Sequence, residues 1–163
     1  MARTSYAIAL GSNRRSRYGS PTATVLAAAD AIGAEQLSRI RTTAALGPSG
    51  RSFANAAAIV STSTGPLDLL QHLKEIERSF GRRPGRRWGP RVLDLDIILW
   101  SEGPFEAPGL VIPHPEFRAR RFVLEPLAEM VPEWRDPLSG RTVRQLLWRL
   151  AAPRPVDRGR RRP

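Results

Sequence analysis

Val92-Leu93-Asp94-Leu95-Asp96-Ile97-Ile98-Leu99-Trp100 is the stretch whose reading decides the fold. It is rich in large and β-branched apolar residues and contains no glycine or proline, so it is predicted to be a strand. Working back toward the N-terminus, Pro66 opens a helix in which Leu67, Leu70, Leu73, Ile76, Glu77 and Phe80 mark one face, and Gly81 is placed to end it. Residues 53–62 end in Ile59-Val60-Ser61-Thr62, and their many alanines suit a strand packed closely by helices. Residues 36–43 alternate imperfectly, but their length and flanks favour a strand paired with it.

Ser20-Pro21 reads as an N-cap followed by a first-turn proline, with Val25, Leu26, Ala29 and Ile32 at helical spacing up to Gly33. Residues 5–10 form a short apolar run that stops at Gly11-Ser12-Asn13, and read as the first strand. The order is therefore βαββαβ, an α+β ferredoxin-like sandwich with an antiparallel sheet and two helices covering one face. Beyond it, residues 104–115 read as loop, 121–130 as a helix kinked by Pro126, and 142–150 as a helix carrying Val143, Leu146, Leu147 and Leu150.

A chain of 163 residues with 41% hydrophobic residues can bury one sizeable core. Residues 1–152 are expected to form a single domain. The tail 153–163 cannot bury a core and is expected to be disordered. With no cysteine, disulfides and thiolate metal sites are excluded, and the cytoplasm is the expected compartment. No apolar run approaches the roughly 20 residues of a membrane span, and the first residues lack the apolar stretch of a signal peptide.

The net charge of +11 comes almost wholly from arginine, Lys74 being the only lysine. Such a charge suits an anionic partner, either a nucleic acid or a phosphate-bearing small molecule. Its distribution is the sharper signal: Arg78, Arg82, Arg83, Arg86, Arg87 and Arg91 follow one another with no acid between them.

That basic segment, which also carries Pro84, Gly85, Trp88, Gly89 and Pro90, runs directly into Asp94 and Asp96. Residues two apart on a strand point to one face, which sets these carboxylates about 6 to 7 Å apart. They repel each other unless a cation lies between them. Magnesium takes hard oxygen ligands and often uses one or two carboxylates, with phosphates and water completing the octahedron. Taken alone, the pair reads equally as a magnesium site or as a solvated sheet face. Val92, Ile98 and Trp100 are expected on the same face, setting the acids among apolar neighbours. Arginines grip phosphate bidentately, and a loop able to close over a transferring phosphoryl group excludes water. His114, between Pro113 and Pro115, is held on a stiff extended segment that would present its ring to a ligand.

Arg87-Trp88-Gly89-Pro90-Arg91 followed by Leu93-Asp94-Leu95-Asp96 resembles the signature of the 6-hydroxymethyl-7,8-dihydropterin pyrophosphokinases of folate biosynthesis. Further matches follow in the same order: Leu10-Gly11-Ser12-Asn13, Leu46-Gly47-Pro48 before Phe53-Ala54-Asn55-Ala56-Ala57, Glu75-Ile76-Glu77 before Gly81-Arg82, and Pro113-His114 before Arg120-Arg121-Phe122. The resemblance runs from Tyr6 to about Leu150.

The resemblance implies transfer of the terminal diphosphate of ATP to the hydroxymethyl group of the pterin, with release of AMP. It implies that Asp94 and Asp96 bind two magnesium ions and, with Arg82 and Arg91, form the catalytic set. It implies nucleotide contacts from Glu77, Arg82, Trp88, Arg91, Ile97, His114 and Arg120. For the pterin it implies stacking by Phe53 and Phe122, a ring-edge contact from Asn55, and further contacts from Thr43, Ala44 and Leu46. By residue type alone, Phe53 and Phe122 would be taken for core. The chain departs from the family pattern at Pro84, where a second arginine is common, and at Lys74, Gly109 and Val111, which replace polar groups around the nucleotide. The expected partners are small molecules, with no membrane and no nucleic acid, and the expected state is a monomer. The competing readings are a ferredoxin-like RNA-binding module and an inactive pterin- or nucleotide-binding paralogue.

Overall fold

Ser20 and Pro21 begin the first helix as their chemistry requires: the Ser20 hydroxyl accepts the Ala23 N–H at 3.2 Å, and proline takes the first helical position, where no N–H is needed. In the computed structural model, which describes residues 2–43, 52–81 and 92–152, this helix is α1 (Pro21–Ala31) and follows strand β1 (Thr4–Ser12). Gly33 stops it with a φ of 69°. Val25, Ala28, Ala29 and Ile32 are buried, whereas Leu26 points to solvent.

The next segment is β2 (Gln36–Leu37) and β3 (Arg41–Thr43), two short pieces where one strand was expected. Ser38 causes the break. Its N–H donates to the Ala57 carbonyl at 2.9 Å, while its hydroxyl accepts the Ala57 N–H at 3.0 Å and donates to the Arg39 carbonyl at 2.9 Å. A side-chain oxygen thus stands where a main-chain acceptor would continue the ladder.

Strand β4 (Phe53–Thr62) buries Ala54 and Ala56 on one face and Ala57 and Ile59 on the other. Helix α2 (Pro66–Ser79) follows, turning Leu69, Leu73, Ile76 and Phe80 inward. The face is the expected one from Leu70 onward, and only at its first turn does Leu69 replace the exposed Leu67. Gly81, at a φ of 108°, adopts the left-handed conformation that ends the helix. Full burial of Leu73 contributes about 2 kcal/mol. Strand β5 (Asp94–Trp100) completes the βαββαβ order.

The sheet is antiparallel throughout, in the order β5-β1-β4, with β2 and β3 both along the outer edge of β4. α1 and α2 cover one face over Tyr6, Ile8, Leu10, Leu95 and Ile97. On the other face Ala7, Ala57, Ile59, Ile98 and Leu99 pack against α3 (Arg121–Met130), which contains Pro126, and α4 (Val143–Ala151). Thr142 and Gln145 form a reciprocal capping box at the start of α4, and Leu150 on that helix is exposed. Residues 105–112, expected to be loop, form a hairpin of β6 (Phe105–Ala107) and β7 (Leu110–Ile112) that turns at Pro108-Gly109 with Gly109 at a φ of 83°.

β5 carries a bulge. Ala7 pairs with Leu99 and Ile8 with Ile97, so Ile98 is left over. The alternation changes phase there, which corrects the expected grouping of Trp100 with the acids. Trp100 stacks on Tyr6 at 5.6 Å on the α1/α2 face, and Val92 packs on that same side. Ile98 stays on the face of Asp94 and Asp96.

A 3-10 turn, Phe117–Ala119, leads into α3. Arg118 within it pairs with the fully buried Asp136, Nε to Oδ2 at 2.5 Å and Nη2 to Oδ1 at 2.7 Å. The Leu138 N–H and the Ser139 hydroxyl donate to the same carboxylate. No helix among the described residues is long and apolar enough to cross a membrane. The tail 153–163 lies outside the described residues.

Candidate functional site

The register of three strands builds the site. Gly11 on β1 pairs with Asn55 of β4 on one side and Asp94 of β5 on the other, and Ala9 pairs with Ala57 and Asp96. Asn55 and both acids therefore share a face, separated by a central strand that presents only Ala9 and Gly11. A Cβ on Gly11 would stand 3.2 Å from Asn55 Oδ1, so glycine is what allows the amide to lie over the strand. These small residues leave a cleft of about 670 Å³. Thr43, Phe53 and Asn55 wall one side, Arg120 and Phe122 at the head of α3 wall the other, and Asp94 and Asp96 lie along it.

Phe53 and Phe122 are 45% and 48% exposed, so the core role suggested by their residue type does not hold. Their exposed rings line the cleft, as a site for a flat aromatic ligand requires.

A second cleft of about 340 Å³ meets the first at Asp96, which lines both. Leu70, Leu95, Ile97 and Val111 make it apolar, and His114 stands at its side. The Ile112–Pro113 peptide is cis, and one main-chain bond holds His114: its N–H donates to the Ile98 carbonyl at 3.0 Å. The bulge residue thus anchors the histidine segment to β5. His114 Nδ1 accepts the Glu116 N–H at 3.2 Å, which leaves the proton of the neutral ring on Nε2. Burial pushes the imidazole below its ordinary pKa; Arg120 acts in the same direction, and Asp96 and Glu116 oppose it. The ring is neutral at pH 7.

Glu77 lines neither cleft. Its carboxylate is buried and accepts the Leu95 N–H at 3.0 Å, fixing the peptide between the two aspartates. Arg120 pairs with Glu116 one turn back, and its guanidinium lies 5.7 Å from the Phe122 ring centre. Arg82, Trp88 and Arg91, and with them Ala44 and Leu46, lie outside the described residues, as does Pro84. Thr43, Phe53, Asn55, Asp94, Asp96, Arg120 and Phe122 converge on the first cleft, and Ile97, His114 and Asp96 on the second. Sequence reasoning gave no site role to Ala9 and Gly11, which form the floor, or to Leu70, which it placed only on the apolar face of α2. The signal was there in a strand whose alternate positions shrink to alanine and glycine toward one end.

Among the described residues no group of three or more His, Asp or Glu side chains converges. The acidic donors in the clefts are Asp94 and Asp96. Two carboxylates leave most of a coordination sphere to phosphate oxygens and water, the donor set that suits magnesium.

Two clefts that share Asp96, one apolar and one walled by aromatics with Asp94 beside it, are the parts of a transferase that moves a phosphorylated group between two bound molecules. The chain belongs to the family described as 7,8-dihydro-6-hydroxymethylpterin-pyrophosphokinase (HPPK), whose model matches residues 7–132. Three relatives carry the name 2-amino-4-hydroxy-6-hydroxymethyldihydropteridine pyrophosphokinase. That of Pseudomonas aeruginosa is 42% identical over 149 residues, covering 86% of this chain and 88% of its own. That of Bacillus subtilis is 39% identical over 126 residues, covering 76% and 75%. That of Synechocystis sp. is 46% identical over 103 residues, covering 63% of this chain but only 53% of its own. Among solved structures, an HPPK-DHPS in complex with substrates superposes with a TM-score of 0.69 at 12% identity, covering 90% of this chain and 44% of that one. The wild-type Plasmodium falciparum HPPK-DHPS with STZ-DHP gives 0.67 at 14%, covering 90% and 43%. These two similarities establish the shared α+β fold.

Proposed function

We propose that this chain transfers the terminal diphosphate of ATP to the hydroxymethyl group of 6-hydroxymethyl-7,8-dihydropterin, releasing AMP. The observation that carries the reading is the placement of Asp96 where the two clefts meet, with Asp94 beside it. The pterin occupies the larger cleft between Phe53 and Phe122, with Asn55 and Thr43 at its edge. The nucleotide occupies the smaller cleft against Ile97 and Leu70, with His114 Nε2–H as donor. The acceptor oxygen attacks the β-phosphorus; the bond from that phosphorus to the α,β-bridging oxygen breaks, and the hydroxyl proton is lost.

Asp94 and Asp96 would hold magnesium, two ions by the family pattern. When bound there, it neutralises charge along the triphosphate and lowers the pKa of the attacking hydroxyl. Arg120 stands on the opposite wall as a fixed cation for the phosphates, with Arg82 and Arg91 as further candidates. Glu77 acts from behind by holding the peptide between the aspartates. With glycine and valine at 109 and 111, side-chain polar contacts to the base are few, and apolar packing carries more of the nucleotide affinity.

An RNA-binding sheet needs aromatic side chains on the open face of its central strands. β1 offers Ala9 and Gly11 there, which favours the small-molecule reading. The functional unit is residues 1–152, acting as a single copy on small molecules in the cytoplasm.

Supplying ATP, Mg²⁺ and the hydroxymethyl dihydropterin should yield AMP and the pterin diphosphate in equal amounts. Absence of AMP, together with retention of RNA at physiological salt, would falsify this assignment. A second expected result concerns the floor. Gly11→Val pushes a branched side chain against Asn55 and should lower kcat/KM for the pterin by at least about tenfold. Steady-state rates at saturating ATP measure this, and an unchanged value removes Gly11 from the site.

A further inference from the structure

We propose that Arg41 is a positioning residue that sets the width of the acceptor cleft by tying β3 to α3. This rests on the reading of that cleft as the pterin's. Arg41 pairs with Asn55 in the sheet register, two residues before Thr43, so it belongs to the wall formed by Thr43, Phe53 and Asn55. The opposite wall is Phe122, at the head of α3. The same helix presents Glu125 and Glu129 to Arg41: Nη2 lies 3.1 Å from Glu129 Oε1 and Nε lies 3.9 Å from Glu125 Oε2.

Glu129 does more than pair with one arginine. Its Oε2 accepts the Arg39 main-chain N–H at 2.7 Å, and its Oε1 accepts Arg39 Nε at 3.4 Å. A single helical carboxylate therefore holds both the backbone and the side chains of the segment leading into β3. Burial pushes the Glu129 carboxyl up, but the Arg39 N–H and the Arg41 charge outweigh it and hold the carboxyl below its usual range. Glu125 in turn pairs with Arg121, the residue before Phe122. The chain of contacts thus runs from the Asn55 wall through Arg41 and Glu125 to the residue beside Phe122. The Arg41 side chain is 27% exposed and that of Glu129 30%, so the link is sheltered enough to hold a geometry. It is too exposed to rank among the main supports of the fold. A planar guanidinium can span two carboxylates at once, and an ammonium cannot do so in the same plane.

The test is titration calorimetry of the hydroxymethyl dihydropterin, with an unreactive ATP analogue present, on wild type, Arg41→Ala, Glu129→Ala, their double variant and Arg41→Lys. Each alanine variant should weaken pterin binding about five- to tenfold while leaving the analogue's own Kd within twofold and the melting temperature within about 2 °C. The double variant should bind no more weakly than the weaker single one, because both break the same link. Lysine should recover only part of the loss. Unchanged pterin binding in Arg41→Ala, additive losses, or full recovery by lysine overturns the inference, as does a parallel loss of both ligands with a large fall in melting temperature. If the wild type itself binds no pterin, the functional reading fails with it. If the wild type binds and the variants bind equally well, the inference alone fails.

Discussion

Asp94→Asn and Asp96→Asn each leave a folded protein that forms AMP at least about a thousandfold more slowly than the wild type. Asparagine keeps the shape and the strand register against Gly11 and Ala9 but removes the charge, so the fold has little reason to change. The consequence for catalysis is large. The two carboxylates supply the acidic groups of the clefts, and a triphosphate brought beside an acceptor hydroxyl needs its charge neutralised in the transition state more than in the ground state. Asp96 belongs to both clefts, so its loss should also raise the Mg²⁺ concentration needed for half-maximal nucleotide binding. Rates at saturating substrates over a Mg²⁺ series, with melting temperatures alongside, check this. Near-normal rates in either variant would remove that residue from the metal site.

The second large effect is on stability. Asp136→Ala should destabilise the fold by about 3 kcal/mol at pH 7, because it leaves a cavity at a fully buried position and removes the acceptor of Arg118, the Leu138 N–H and the Ser139 hydroxyl. Arg118 is partly exposed and can recover some hydration, which keeps the figure at the lower end for a broken buried pair.

The pH dependence follows from the same contacts. Burial alone raises the Asp136 pKa, but hydrogen bonds from Arg118, Ser139 and the Leu138 N–H, together with the Arg118 charge, bring it down to about 2. In the unfolded chain the group titrates near 3.9. The folded value is the lower one, so this contribution is fully present above about pH 4 and is lost as pH falls from about 4 through 2. Its size is on the order of 2 kcal/mol. Urea denaturation at pH 7 and pH 3 should show the gap between wild type and variant shrinking at the lower pH. An equal gap at both would mean that the carboxylate is not held as described. The 3-10 turn fastened by this pair directly precedes Arg120 and Phe122, so the variant should lose pterin affinity as well.

Much of this architecture was legible in the chain because local chemistry and global fold agree. Ser20-Pro21, Gly33 and Gly81 mark helix ends by capping and by left-handed backbone, and these are properties of single residues. Asp94 and Asp96 could be placed on one face because strand geometry places alternate residues together whatever surrounds them. Features that depend on a partner strand were not legible. Ser38 breaks a strand by offering its hydroxyl to Ala57, a bond that no reading of 36–43 alone contains. The bulge at Ile98 depends on pairing with β1, and it moved Trp100 to the opposite face from the one alternation gave. Phe53 and Phe122 read as core because aromatic residues usually are. Only the assembled cleft shows why these two stay open. The width of that cleft rests on acids of α3, far along the chain from the arginines they hold.

The leftover residue in β5 separates two tasks that one strand would otherwise have to share. Before Ile98 the acids face the ligand cleft while Leu95 and Ile97 face the core under α1 and α2; after it Leu99 and Trp100 both pack into the interior, on opposite faces. The extra residue works like a half-step in a staircase, allowing each flight to face its own landing. Substitutions at Leu99 or Trp100 can therefore tune the interior without rotating the aspartates. Deleting Ile98 would remove the bulge yet leave Leu99 opposite Ala7 and Trp100 opposite Tyr6, so the aspartates and Trp100 would keep their faces and the loss would fall on the Ile98 carbonyl that anchors His114.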